Sequence, residues 1–247
     1  MKIIENPQVA VESRLPRLAD MFLYPISAPG LINLAVFVLL PRLVSFILGL
    51  LGSLLAPFLM QGTGYIIFFL SVLFYVVFIS YVFYYIALCI VDSAKGNLRA
   101  PAVLTGDTLD AGDWISQVLT FAGCVAVSSL PAAVYYIFTE RTDTSFWLLA
   151  AFGGFFLPMS LVTGILFDSF DALNPVDILR SIWQTFLPYC GLLLFFYAVG
   201  GLLAFVLPRL HLWPIVTQAV RVYLVFVVAH RLGWFYWWNK DKLGWGI

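Results

Sequence analysis

Two arginines make the strongest chemical demand in this chain. Arg42 follows Pro41 near the centre of one long apolar run, and Arg221 lies about nine residues into another, at a similar depth. A guanidinium at mid-membrane costs roughly 2.5–3.5 kcal/mol on insertion scales, so an arginine kept there needs an anion or an acceptor. No Asp or Glu lies deep in any apolar run. The compensating group must then be a lipid phosphate reached by snorkelling, a carbonyl freed by Pro41, or an acid on a partner subunit. A plainer alternative shifts both runs so that the arginines sit nearer an interface.

The remaining chemistry is sparse. His211 and His230 are separated by 230 − 211 = 19 residues, about 28 Å along a helix, so they cannot share a metal or a haem; both are expected at an interface. Asp107, Asp110 and Asp113 are spaced by three and could offer oxygen ligands to a hard cation. Asp113 also precedes an apolar run, where it would cap a helix N-terminus, and Gly106 and Gly112 argue against a regular helix through the triplet. The three cysteines (Cys89, Cys124, Cys190) are far apart in apolar runs, which excludes a disulfide framework and a CxxC metal site. No phosphate-binding glycine loop, zinc-protease HExxH or nucleophile-elbow GxSxG occurs. The expectation is no catalytic residue, no metal, no cofactor and no enzyme activity.

Composition explains why so little polar chemistry is present. Of 247 residues, 62% are hydrophobic and 11% charged, with a mean hydropathy of +0.98. Soluble domains are about 45–50% apolar and about 25% charged, so a soluble globular protein is excluded. A formal charge of zero removes the electrostatic case for nucleic acid.

The elements that must position the arginines are membrane spans. About 20 apolar residues cross the hydrocarbon core, and six stretches qualify: 31–56, 65–91, 114–138, 146–167, 186–207 and 212–237. The predicted fold class is therefore all-α, a polytopic transmembrane bundle of about six spans. Residues 1–30 form an N-terminal segment, 31–238 the membrane domain and 239–247 a short tail. The first 20 residues lack the pattern of a secretory signal; they read as an interfacial helix or as a solvated tail.

An even number of spans puts both termini on one side. That side holds nine Lys and Arg residues, including Lys95, Arg99 and Arg180, against Arg141 and Arg209 on the other. By the positive-inside rule the termini are cytoplasmic. The run Trp234–Trp238 followed by Lys240 and Lys242 reads as an aromatic belt with a basic anchor. The outer loops are too short for a receptor ectodomain. The inner loops 92–113 and 168–185 have room for a partner, and Asp92, Lys95, Arg99 and Asp168 are the candidate partner surface there. Both inner loops open on Asp-Ser (Asp92-Ser93, Asp168-Ser169), which reads as a duplicated hairpin or as two ordinary span ends. Small residues mark close helix contacts or a homodimer seam: Ser45, Gly49, Gly52 and Ser53; Ala150, Gly153 and Gly154; Gly200 and Ala204.

Phe22-Leu23-Tyr24-Pro25, the stretch Cys89-Ile90-Val91-Asp92-Ser93-Ala94-Lys95-Gly96 leading to Arg99-Ala100-Pro101, and Ala229-His230-Arg231-Leu232-Gly233-Trp234-Phe235-Tyr236 with Lys242-Leu243-Gly244-Trp245 carry a resemblance. On these the chain resembles a family of uncharacterised polytopic bacterial membrane proteins, distantly similar to Yip-type membrane proteins. The resemblance implies a multispanning architecture and a bacterial source, and supplies neither active site nor substrate. The expected function is a non-catalytic subunit or scaffold of an inner-membrane assembly, with the lipid bilayer and membrane-protein subunits as partners. The alternative is a transporter or lipid-handling protein in which Arg42 and Arg221 bind an anionic group such as an anionic lipid.

Overall fold

The computed structural model describes residues 21–59, 62–101, 111–169 and 174–245. Asp107, Asp110 and the segment 1–20 lie outside them. Among the described residues seven α-helices follow in order: α1 (Ala28–Leu59), α2 (Gly62–Ala94), α3 (Ala111–Thr139), α4 (Thr144–Phe167), α5 (Pro175–Gln184), α6 (Phe186–Gly201) and α7 (Pro214–Leu243), with a short 3₁₀ turn at Tyr24–Ile26 ahead of α1. No strand occurs among the described residues. All but α5 are long and apolar enough to cross a membrane, α6 by continuing to Leu210. The protein is a multi-pass, all-α membrane bundle, as its apolar runs predict.

Hydrocarbon offers no hydrogen-bond partner, so each span must satisfy its backbone internally. α1 is one continuous helix through Pro41, whose missing N–H leaves the Phe37 carbonyl without its i+4 donor. α6 departs from regularity: it widens into a π-turn over Leu202–Val206 and tightens to 3₁₀ over Leu207–Leu210. His211 ends it in the left-handed conformation, with φ 46°.

The α3–α4 hairpin shows how a turn is specified. Glu140 takes positive φ, and Asp143 caps α4 by accepting from the Phe146 N–H at 3.2 Å and from the Tyr135 hydroxyl at 2.7 Å. This turn and the α6–α7 turn lie at the hairpin end of the bundle; the start of α1, the end of α2 and the end of α7 lie at the terminal end. Asp113 sits within the first turn of α3 rather than ahead of it, where its charge still favours the positive end of the helix dipole.

Two glycine contacts hold the bundle together. A Cβ at Gly153 of α4 would run into the Ser128 carbonyl of α3, and one at Gly233 of α7 would meet the Ile90 carbonyl and sit 2.6 Å from Ser93 Cβ on α2. Polar side chains reinforce the first crossing: the Cys124 thiol donates to the Ser160 carbonyl at 3.2 Å, and the Ser128 and Ser160 hydroxyls lie 3.3 Å apart. Elsewhere the small-residue pattern marks internal contacts at some positions only: Ser45 Oγ lies 3.2 Å from the Tyr75 hydroxyl of α2, and a Cβ at Gly154 would sit 2.6 Å from the Tyr197 hydroxyl of α6. Gly52 faces the Ile67 side chain, whereas Gly49 and Gly200 face open space.

The core is aromatic, with Phe37 of α1 edge-on to Tyr85 of α2 and to Phe226 of α7. Tyr24 is fully buried in it, so the packed bundle extends into the expected N-terminal segment. The run 234–238 is divided rather than forming one belt: Phe235 and Tyr236 are buried and Trp238 is half exposed.

α5 occupies what reads in the sequence as loop. Asn174 caps it through the Val176 N–H, Pro175 takes the first turn, and Ile178, Ser181 and Ile182 are buried. Val176, Leu179 and Trp183 remain exposed, Trp183 at 81%. The helix is amphipathic with a second apolar face, the pattern of a helix lying in the membrane interface.

Candidate functional site

Arg42 and Arg221 line one cavity of about 540 Å³ between α1, the end of α6 and the start of α7. Their shared level follows from the packing beneath them. Phe37 and Phe226 meet with ring centroids 5.8 Å apart, and each arginine lies five residues further toward the hairpin end (42 − 37 and 226 − 221). Arg221 is seven residues past Pro214, so it sits about 10 Å inside the start of α7. Arg42 is 14 residues past Ala28, near the middle of α1.

The rest of the lining is mostly apolar, with His211, Thr217 and Gln218 as its other polar members, and no carboxylate is among the described residues that line it. His211 Nδ1 lies 2.7 Å from the Arg209 carbonyl; donation there leaves Nε2 as its free ring nitrogen. Neither guanidinium has a hydrogen-bond or ion-pair partner among the described residues, so no carbonyl freed by Pro41 receives Arg42. The positive end of the α7 dipole adds to the same potential. Two arginines bordering one space suit a tetrahedral or planar oxyanion, which arginine grips at two points.

The inner-loop candidates are not part of this cavity. Asp92 accepts from Asn97 Nδ2 at 2.6 Å and so closes the turn after α2. Asp168 ends α4 in the left-handed conformation and accepts from Ser116 Oγ at 3.0 Å. Lys95 is half-buried and Arg99 exposed beside them in sequence and at the terminal end. The Asp-Ser echo is not a repeated geometry, because Asp92 is helical while Asp168 has positive φ.

His230 is packed inside the bundle, beside the end of α2. It is 1% exposed, with Nδ1 2.7 Å from Ser93 Oγ and its ring stacked on Tyr24 at 4.0 Å. Ser93 is also fully buried, so this serine–histidine pair is sealed and serves as a polar tie between α2 and α7. Sequence reasoning missed it because the partner lies 137 residues away. Among the described residues no group of three or more His, Cys, Asp or Glu side chains could hold a metal ion. Comparison with protein-family models, with curated proteins and with solved structures finds no match to this chain.

Proposed function

We propose that this protein handles lipids, holding an anionic, phosphate-type headgroup between Arg42 and Arg221. One observation carries the reading: two arginines with no acceptor among the described residues share a cavity, and none of the described residues lining it is a carboxylate. Like charges lining one space repel each other, and an anion between them turns repulsion into attraction. A partner subunit's carboxylate is the other occupant with this chemistry, and it would return the protein to the role of a non-catalytic subunit of a membrane assembly. The nine-to-two distribution of Lys and Arg supports a cytoplasmic terminal end, and the family resemblance supports a bacterial inner membrane. The arginine cavity then belongs to the outer half of the bilayer.

The test is native mass spectrometry of the full chain purified in mild detergent. Wild type should carry an anionic lipid, and Arg42→Leu and Arg221→Leu should insert normally yet lose it. Lysine should rescue in part, keeping the charge without the planar fork. Loss of a stoichiometric protein from the Leu variants instead would establish the partner-acid reading. Variants that keep the wild-type lipid and protein complement would refute both.

A further inference from the structure

Below the arginine cavity lies a second one, of about 240 Å³, lined by apolar side chains from α2, α3, α4, α6 and α7. The two are stacked along the same face of α7. Thr217 and Arg221 line the upper cavity; Val225, Val228 and Leu232 line the lower. Steps of four, four, three and four keep these residues on one stripe of a helix. From Arg221 to Leu232 that stripe runs about 16 Å. α6 is shared in the same way, with Gly200 and Leu203 below and Leu207 and His211 above. The π-turn of α6 spans the junction.

An apolar cavity of roughly 150 Å³ already stays dry and takes up a benzene. This one is larger, and it sits in a protein whose surroundings are hydrocarbon. Left empty, its walls lack van der Waals partners on one side. Each cavity therefore lacks what the other half of an amphiphile carries: counter-charge above, methylene groups below.

Resting on the anionic reading above, we propose that the two cavities are one site for a single-molecule amphiphile. The arginines hold a phosphate headgroup, and one hydrocarbon chain of the same lipid runs down the α7 stripe into the lower cavity. The head faces the hairpin end and the chain faces the bilayer interior, the orientation of a lipid in that leaflet. A free phosphate would use only the upper half.

Three probes separate head from chain in the detergent-purified full chain: a long-chain lysophosphatidic acid, glycerol phosphate and a monoacylglycerol of the same chain length. The lysophosphatidic acid should bind at least about tenfold more tightly than either fragment, equivalent to ~1.4 kcal/mol. Gly200 lines the lower cavity and a Cβ there meets nothing within 4 Å, so Gly200→Leu is the first variant to fill it. It should weaken the lysophosphatidic acid about tenfold and leave glycerol phosphate unchanged; Leu203→Trp is a second filling variant should the first not fold. If both filling variants bind the lysophosphatidic acid as wild type does, the two-part site is wrong while the arginine reading stands. If the Arg42→Leu/Arg221→Leu double variant keeps both phosphate probes, the arginine reading fails as well.

Discussion

Removing the Ser93 hydroxyl isolates the worth of the tie between α2 and α7. In Ser93→Ala, His230 stays 1% exposed and loses the partner at 2.7 Å from Nδ1. Stranding a buried polar group costs about 1–3 kcal/mol. For a chain of this length each kcal/mol lowers Tm by roughly 2–4 °C. His230→Phe keeps a ring against Tyr24, where the stack has centroids 4.0 Å apart and planes 17° apart. It strands only a serine hydroxyl, which can turn back to a carbonyl of its own helix, so its cost should be smaller. The double variant replaces both polar partners by apolar groups and should lie close to the single His230→Phe. The signature is non-additivity of about 1–2 kcal/mol, inside the range for side chains in contact. Reversible unfolding in SDS, followed by the fluorescence of the eight tryptophans, measures all four proteins. Additivity within about 0.5 kcal/mol would mean that the pair is not coupled and that His230 is held by packing alone.

Gly153→Val should separate α3 from α4, because its Cβ meets the Ser128 carbonyl; the expected loss is about 1–3 kcal/mol in the same SDS titration, while Gly49→Ala, facing open space, should show none. The Asp143 carboxyl is held below the usual carboxylate range, first by the Tyr135 hydroxyl and then by the Phe146 N–H. Its contribution is therefore complete above the ordinary Asp value of about 3.9 and is lost as pH falls through the lower folded value. Thermal melts of wild type and Asp143→Ala should differ at neutral pH and converge in acid; curves that stay parallel would show that the cap does not titrate. Reporter fusions after Asp143 should read extracytoplasmic, and fusions after Gly96 and Pro175 cytoplasmic. An extracytoplasmic signal after Gly96 would invert the orientation and move the arginine cavity to the other leaflet.

The spans were legible because each is a long apolar run in which little else can satisfy the backbone. The common depth of Arg42 and Arg221 was legible for the same reason, since depth follows from counting along a span. Their convergence was not. Which spans are neighbours depends on contacts such as Gly233 against Ile90, and helices that are apolar all round carry no periodic face to announce them. α5 could have been found: Asn174-Pro175 is an N-terminal signal, and Ile178 and Ile182 are one turn apart. It is masked because the charge count places Arg180 in the inner loop 168–185, which reads as loop throughout. The second cavity had no sequence signal at all, because a void is defined by what five helices fail to fill.

The zero-clearance glycine crossings also set the mechanics of the bundle. A backbone pressed against a carbonyl allows neither axial sliding nor rolling, so α3 with α4 and α2 with α7 behave as two stiff struts. The compliance that remains is in α6, whose widened turn breaks the regular ladder of helical hydrogen bonds beside a cavity rather than against a packed neighbour. Whatever enters between α6 and α7 meets its least resistance by bending α6 at Leu202–Val206, and the struts supply the fixed frame against which that bend does work.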